Sequence, residues 1–449
     1  MSRESITTNF GSANEWDDEL EKFGKEPTSI YARYEYPELA KREKELAEMI
    51  GVPDTAVFNA GMGAIYTVIE AEGLKPGDVV LCGRDVYELT KEMYQDLKEK
   101  GIRIEMCDSG NMEEIEKKIG ELKPRLIILE SVANSTNMQV CDIKKLGEIS
   151  AEANKKYKDE LTVEKVLDKY FSIKGIDGMD EVKKLLIDEI KEFKEGNNPA
   201  VFREAIRKFV EAAGMDRREA IRKISQAIKL TFRNSREKLS IVIDNTLVSP
   251  ILYNPVKDLE KSGAEAVVVE SATKHYQKGQ DKITMGIAYS SDGEKIKAIK
   301  SKRSELGTYL QPNDEKEIPE NITKIMPEIL KRHSENALRL AELISDSGKA
   351  IEVNHPNLPE HKQSELVKEI APQGIVTLFY IKIKDAAGFV NKVKEVGGEK
   401  IGVGASFGHP KTWLINTKED EVRIAVGSED KAEFEKVKDT FKKALENYD

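Results

Sequence analysis

The chain has 449 residues, of which 34% are charged and 39% hydrophobic, and its formal net charge is −10 at pH 7. This length allows two or three domains with a sizeable core, and the negative charge argues against nucleic acid or an anionic membrane as the main partner. No apolar run reaches transmembrane length. Three scattered cysteines without metal-ligand spacing, and an N-terminus without an apolar signal core, predict a cytoplasmic protein with no metal site.

The N-terminal region begins with about thirty polar residues, a pattern that predicts an arm packing on another surface. A helix is predicted at 37–50, because proline suits its first turn and Gly51 its end. Residues 56–58 predict a strand that leads into Gly61 and Met62 at a glycine-rich helix start, where backbone N–H groups can approach an anion. A tight packing turn is the other interpretation of these glycines.

Three strand–helix units follow, and this alternation predicts a parallel, doubly wound sheet. The predicted strands are 79–82, 103–106 and 126–129, and the helices after the first two are 88–100 and 112–122. Between 156 and 238 the sequence predicts four helices, at roughly 162–172, 179–195, 199–213 and 216–231. Their apolar stripes can form a small core, which indicates an inserted helical subdomain that is decoration, a lid or a partner-docking surface.

Two further buried strands end in residues that carry chemistry. The run 240–243 ends at Asp244, and the run 266–269 is followed by Ser271, Thr273 and Lys274. Ligands of open α/β sheets bind at the carboxyl ends of strands, where a desolvated lysine can lose its proton and form a Schiff base while hydroxyls hold a phosphate. Pyridoxal phosphate (PLP) requires such a lysine and an acid for its ring nitrogen. A surface lysine and a helix-capping aspartate are the alternatives.

The C-terminal part mixes strands with helices and predicts an α+β domain. A long helix at 321–346 leads into predicted strands at 351–353, 375–383 and 422–426, with helices at 385–396 and 430–447. Arg423 alternates with apolar neighbours on the last of these strands. An arginine in a cleft requires an anion, so Arg423 binds a carboxylate or forms a structural salt bridge.

Nine short runs along most of the chain can be compared with known families. They are YARYEYPEL (31–39), NAGMGAI (59–65), DVYELT (85–90), ESVANS (130–135), IDNTLVSP (243–250), ESATKH (270–275), KRHSENA (331–337), ASFGHPKT (405–412) and VRIAVGSED (422–430). In sequence and order they resemble the Cys/Met-metabolism family of PLP enzymes, which includes cystathionine synthases and lyases, methionine γ-lyase and O-acetylhomoserine sulfhydrylases. Residues 156–238 lie outside the resemblance.

This resemblance implies a fold-type I PLP enzyme of the α/β class, with a doubly wound, mostly parallel sheet, a C-terminal α+β domain and the inserted helical subdomain. The expected divisions are an N-terminal arm and helix (1–50), a large PLP-binding domain (51–155 and 239–310), the insert (156–238) and the C-terminal domain (311–449).

The resemblance also implies roles for individual residues. Lys274, Tyr87 and Asp244 are the expected catalytic residues: Lys274 carries PLP, Tyr87 stacks on its ring and Asp244 meets its nitrogen. The other expected cofactor contacts are Gly61, Met62, Ser271, Thr273 and Asn134, with Tyr31 and Arg33 reaching the phosphate of a partner subunit. Arg423 and Ser406 are expected to hold the substrate's α-carboxylate. Val132 and Ser135 replace the family's prolines beside Asn134, and the loop at 413–421 is shorter than the family's.

The expected reaction is elimination or replacement at Cβ or Cγ of a sulfur- or oxygen-substituted amino acid, by a C–S lyase or γ-synthase. The expected assembly is a homodimer or homotetramer with shared active sites. Two alternatives are other PLP chemistry, such as decarboxylation or racemisation, and a non-catalytic interaction protein that acts through its insert. The sequence leaves open the substrate and the choice between elimination and replacement.

Overall fold

The structure, a computed structural model, describes residues 36–160, 238–277, 281–446 and 448. The chain divides into two units, Met1–Glu148 with Ser240–Asp449, and Ile149–Leu239. The helices predicted between 162 and 231, and the arm with Tyr31 and Arg33, lie outside the described residues. Within the described ranges, no helix is long and apolar enough to cross a membrane.

The described elements alternate between strand and helix in the first half and mix in the second. The strands are β1 Asp54–Phe58, β2 Val79–Gly83, β3 Arg103–Cys107, β4 Leu126–Glu130, β5 Ser240–Asp244, β6 Ala266–Ser271, β7 Gly286–Ser290, β8 Glu352–Asn354, β9 Leu378–Lys382, β10 Gly402–Val403, β11 Trp413–Lys418 and β12 Glu421–Ala425. The helices are α1 Pro37–Ile50, α2 Gly61–Ala71, α3 Glu88–Glu99, α4 Met112–Leu122, α5 Ile143–Glu160, α6 Ser249–Leu252, α7 Pro255–Ser262, α8 Gly293–Leu306, α9 Pro312–Glu315, α10 Ile322–Asp346, α11 Ser364–Ile370, α12 Ala386–Gly397 and α13 Lys431–Glu446.

The large sheet has seven strands in the order β1-β7-β6-β5-β4-β2-β3. Strand β7 runs antiparallel to β1 and β6, and the other neighbours are parallel. Helices cover this sheet, so its central strands are buried on both faces and their sequences are continuously apolar rather than alternating. This is the mostly parallel, doubly wound architecture that the sequence predicts.

The carboxyl ends of β4, β5 and β6 lie side by side. In the parallel register, Glu130 at the end of β4 pairs with Asp244 at the end of β5, and Asp244 pairs with Val269 of β6. Helix α2 packs against β6 and β7, so its N-terminus reaches the same edge of the sheet. The fold therefore collects residues from distant parts of the sequence at one edge.

The C-terminal region forms a second sheet with the order β10-β11-β12-β9-β8. All of its neighbours are antiparallel except β10 and β11. The core beneath it includes Phe379, Phe389, Phe434 and Phe441, which are fully or almost fully buried. This is the predicted α+β domain, but the predicted strand 375–383 is shorter, and Trp413–Lys418 is a strand that the sequence analysis did not identify.

The unit Ile149–Leu239 is described only at its two ends. The side chain of Asn154 bonds the backbone of Leu239 in both directions: Nδ2 donates to the carbonyl at 3.0 Å, and Oδ1 accepts from the N–H at 2.7 Å. Asn154, near the start of this unit, and Leu239, at its end, are therefore adjacent.

Candidate active site

A cavity of about 610 Å³ opens at the carboxyl edge of the large sheet. Its walls come from both sheets, because β5, β6 and the N-terminus of α2 meet residues of the C-terminal domain there. Every predicted site residue within the described part of the chain lines this cavity: Gly61, Met62, Tyr87, Asn134, Asp244, Ser271, Thr273, Lys274, Ser406 and Arg423.

Lys274 lies beyond the end of β6, between the two domains. Its Nζ is 3.4 Å from Ser406 Oγ and 5.5 Å from the centre of the Phe407 ring. Burial lowers the pKa of Lys274; the carboxylate of Asp281 opposes this effect, and the charge of Arg423 adds to it. A lowered pKa gives the amine form that a nucleophile or proton acceptor requires.

Asp244 ends β5 and is half-buried at the cavity wall. Its Oδ1 accepts the N–H of Thr246 at 2.9 Å, and burial raises its pKa. Since burial disfavours an isolated carboxylate, a cationic group in the cavity would lower the energy of its charged form. A protonated ring nitrogen is such a group.

Glu130, which the sequence analysis did not assign, holds two predicted site residues in place. Its Oε1 accepts the N–H of Tyr87 at 2.8 Å and its Oε2 accepts the N–H of Asn134 at 2.7 Å. Burial and the neighbouring Asp244 raise the pKa of Glu130 to about 8. The sequence shows that Glu130 ends a buried strand. It does not show that Glu130 accepts the backbone N–H groups of Tyr87 and Asn134.

The N-terminus of α2 offers unpaired backbone donors beside β6. Its N-cap, Ala60, supplies no side-chain cap, so the first N–H groups of the helix are open to a ligand. A Cβ on Gly61 would lie 2.8 Å from the Cβ of Ser271, so only glycine allows this close approach. Thr273 is already engaged: its hydroxyl accepts from Met285 N at 2.9 Å and donates to Met285 O at 3.3 Å.

Arg423 enters the cavity from β12. Its Nη2 is buried and has no hydrogen-bond partner, although the group is a strong donor. A buried, unsatisfied guanidinium nitrogen is costly, and an entering carboxylate would satisfy it. Tyr380 on β9, also missed by the sequence analysis, is the residue directly opposite Arg423.

The residues present fit PLP. A lysine with a lowered pKa suits the aldehyde, an aspartate at the cavity wall suits the ring nitrogen, and an open helix N-terminus that starts with a glycine suits the phosphate. Tyr87, with 45% of its surface exposed, lies at the cavity wall and is free to stack on a ring. Fold and site together define a fold-type I PLP enzyme.

The family model described as "Cys/Met metabolism PLP-dependent enzyme" matches residues 5–158 and 164–446. The chain belongs to this family. It is therefore a PLP-dependent enzyme of sulfur amino acid metabolism, as the resemblance implied, and carries out lyase or synthase chemistry on an amino acid. The second matched range also runs across 164–238, which the sequence analysis left outside the resemblance.

Individual relatives are distant. A cystathionine beta-lyase from Neurospora crassa is 23% identical over 419 residues, covering 89% of this chain and 70% of that protein. A mimosinase from Leucaena leucocephala is 22% identical over 417 residues, covering 89% and 73%. A cystathionine gamma-synthase from Escherichia coli is 30% identical over 123 residues, covering 27% and 31%.

Among solved structures, the chain resembles cystathionine gamma synthase from Xanthomonas oryzae pv. oryzae in complex with aminoacrylate and cysteine. The TM-score is 0.65 and the identity 18%, and the match covers 98% of this chain and 91% of that one. At this identity the likeness concerns the fold, and it agrees with the two-sheet architecture described above.

Proposed function

We propose that this enzyme is a C–S lyase that cleaves a thioether amino acid of the cystathionine type by elimination. One observation carries this choice: within the described residues, the cavity presents a single guanidinium nitrogen that is buried and unpaired, on Arg423. One such group anchors one α-carboxylate. An elimination requires one amino acid in the site, whereas a replacement must admit a second reactant. Cystathionine beta-lyases among the relatives support the same substrate class.

Lys274 is the proton carrier of this proposal. Bound PLP supplies an electron sink that makes the substrate's Cα–H acidic. Because burial lowers the pKa of Lys274, its amine form, which can take the Cα proton, is favoured. Ser406, at 3.4 Å from Nζ, keeps the amine at the border of the two domains, where substrate enters. The phenol of Tyr87 at the cavity wall protonates the departing sulfur.

The remaining predicted residues bind rather than move protons. Asp244 would pair with the ring nitrogen of bound PLP, and Asn134 would meet its ring hydroxyl. The N–H groups of Gly61 and Met62 and the hydroxyl of Ser271 would hold its phosphate. Thr273 contributes through the loop it fixes with Met285, since its hydroxyl is already engaged.

Two experiments test this proposal. Borohydride reduction of the PLP-loaded enzyme, followed by peptide mapping, should place the label on Lys274; a label on Lys282 instead would contradict the assignment. Cystathionine should then yield pyruvate and homocysteine if the Cβ–S bond breaks, and 2-oxobutyrate and cysteine if the Cγ–S bond breaks. Absence of both oxo acids would exclude the lyase, provided that the label is on Lys274.

Replacement at Cγ of an activated homoserine is the second candidate. The 30% identity to the Escherichia coli cystathionine gamma-synthase over 123 residues favours it. Incubation with cysteine and O-acetylhomoserine distinguishes the two reactions, because a synthase consumes cysteine and forms cystathionine, whereas a lyase forms oxo acids from one substrate.

The proposed working unit is a dimer, in which Tyr31 and Arg33 of one subunit bind the phosphate in the other. Mixed dimers of Lys274→Ala and Arg33→Ala subunits would then hold one intact site and recover part of the activity. The matched control mixes Lys274→Ala with Asp244→Ala, which leaves no intact site in any pairing. No recovery in the first mixture, despite demonstrated subunit exchange, would count against a shared site.

A cytoplasmic location is part of the same proposal. Cys82, Cys107 and Cys141 are free and buried, which suits a reducing compartment. Fractionation of the source cells, with the protein followed by antibody, tests this location; enrichment outside the cytosolic fraction would overturn it.

A further inference from the structure

Tyr380 joins the two halves of the active site, and neither the family resemblance nor the roles proposed above assign it a function. It lies on β9 of the C-terminal domain, and its hydroxyl is 3.0 Å from Oδ1 of Asn134, in the loop after β4 of the large domain. Its backbone is directly opposite Arg423 of β12 in the antiparallel register. Directly paired residues project to the same face of a sheet, so the two side chains are neighbours.

The hydrogen bonds of this trio can be oriented by counting donors and acceptors. Arg423 has only donors, and its side chain neighbours that of Tyr380 across β9 and β12, so the guanidinium can face only a lone pair of the tyrosine oxygen. Tyr380 is 5% exposed, and a buried hydroxyl proton without an acceptor is costly. The proton therefore points to Oδ1 of Asn134. The hydroxyl of Tyr380 thus lies beside the guanidinium of Arg423 and donates its proton to the amide oxygen of Asn134.

This orientation determines which part of the Asn134 amide faces the cavity. With Oδ1 directed at Tyr380, the NH2 group is the part of the amide left to face the cavity that Asn134 lines. An NH2 donor suits the negatively charged ring oxygen of PLP, whereas a flipped amide would present a second negative oxygen. Glu130 also accepts the backbone N–H of Asn134 at 2.7 Å, and this bond limits the movement of Asn134.

We propose that Tyr380 is a positioning residue that couples binding of the substrate carboxylate at Arg423 to the cofactor-ring contact of Asn134. The inference rests on the proposed PLP and carboxylate roles of those two residues. A carboxylate that engages the unpaired Nη2 of Arg423 polarises or shifts the guanidinium, and the hydroxyl passes this change to the amide. Substrate binding is thereby signalled across the domain boundary before any proton moves.

The test compares PLP-loaded wild-type enzyme with Tyr380→Phe, using propionate as an unreactive carboxylate. Two quantities are measured: the affinity for propionate by calorimetry, and the change that saturating propionate causes in the pH titration of the visible PLP absorption. Tyr380→Phe should weaken propionate binding on the order of fivefold, the effect of one ordinary hydrogen bond, and should remove at least half of the spectral change.

The matched control is Tyr253→Phe, which also removes a largely buried tyrosine hydroxyl, bonded to Asp258 at 2.8 Å, but outside this cavity. It should leave both quantities at the wild-type value. A Tyr380→Phe enzyme that binds and responds like wild type overturns the proposal, and so does one that keeps the full spectral change at saturation.

If Tyr380→Phe does not fold, Asn134→Ser tests the same chain from its other end. Because coupling between two sites is reciprocal, the proposal then requires propionate to bind more weakly than to wild type, with the spectral change lost; a retained change overturns it. Failure of wild-type protein to develop any visible PLP absorption is a different result, which refutes the proposed function and the inference with it.

Discussion

Opposing electrostatic effects act on the pKa of Lys274. Burial favours the neutral amine, the guanidinium of Arg423 adds to this, and the carboxylate of Asp281 opposes both. Asp281 also lies 3.5 Å from Nε2 of His409, at the wall of the same cavity. The reactivity of the lysine thus depends on residues far from it in the sequence.

Replacement of Asp281 by asparagine should therefore make Lys274 reactive at lower pH. A nearby negative charge stabilises the ammonium, so its removal lowers the pKa further and the amine forms at a lower pH. The rate at which PLP attaches to apoprotein, followed by visible absorption from pH 6 to 9, should rise with a midpoint displaced to lower pH. Asp439→Asn, at an exposed position of α13, is the control and should not move the midpoint; an upward displacement in Asp281→Asn would contradict the assignment.

Glu270 offers a stability test at the same scale. It is buried behind the site, accepts from the hydroxyl of Tyr276 at 3.0 Å and also from that of Tyr289, and burial raises its pKa to about 8. Between its unfolded pKa of 4.5 and this value, the folded state binds more protons than the unfolded state. Stability must therefore fall as pH rises through that window.

Glu270→Gln removes this titration. Wild type loses stability as the pH rises from 5 to 9, and the variant does not. The stability of the variant relative to wild type should therefore increase over this range, by on the order of a few kcal/mol. Chemical denaturation at several pH values measures the difference, with exposed Glu116→Gln as the control. A difference between wild type and Glu270→Gln that is independent of pH would show that the raised pKa is wrong.

At the scale of elements, the contact between helix α2 and strand β6 creates the phosphate end of the site. The helix is close enough to the strand that its first residue must be glycine, and its uncapped N–H groups face the place where β6 ends. Packing and ligand binding therefore depend on the same few atoms.

Gly61→Ala should separate the helix from the strand. The new Cβ would lie 2.8 Å from Ser271 Cβ and 3.0 Å from Ser271 Cα, so the helix start must move by several tenths of an ångström. Such a shift should weaken PLP binding by roughly tenfold or more, because N–H groups aimed at an anion lose their alignment. Equilibrium dialysis of PLP measures the loss.

Gly120→Ala provides the comparison. Gly120 lies in α4, with nothing within 4 Å of its would-be Cβ. Alanine there should stabilise the protein by about 0.5–1 kcal/mol and leave PLP affinity unchanged. Equal losses of PLP affinity in both variants would show that the close approach of α2 to β6 is not what matters.

At the scale of the whole molecule, a long segment separates β4 from β5 in the sequence. Within it, Asn154 and Leu239 are joined through two hydrogen bonds, and β4 and β5 pair as adjacent parallel strands. A segment with adjacent ends can be removed without separating the strands that flank it.

Joining Lys155 to Leu239 through a short Gly/Ser linker should therefore yield a folded protein that binds PLP, as judged by thermal unfolding and visible absorption. If the removed segment is a lid, KM or kcat should change while the absorption stays the same. If it only docks a partner, neither constant should change. Loss of PLP binding would mean that the segment supports the cofactor site, and that the boundaries 156–238 are wrong.

The sequence by itself determined the order of elements and the chemistry at the strand ends. Continuous apolar runs predict the central strands, and Asp244 and Lys274 follow two of them. Because parallel strands end at one edge, local patterns were sufficient to predict that these residues meet. The cavity indeed collects them, together with Tyr87 and Arg423.

Only the tertiary structure decided which groups surround those residues. In the sequence, Tyr380 looks like an ordinary core aromatic of a strand. In the structure, its hydroxyl donates a hydrogen bond to Asn134, 246 positions away. Asp281 tunes Lys274, and Glu130 holds two backbone N–H groups that no sequence pattern links to it. Periodicity records which face of an element is buried, whereas a hydrogen bond between elements depends on strand register and domain packing, and these are fixed only when the chain has folded.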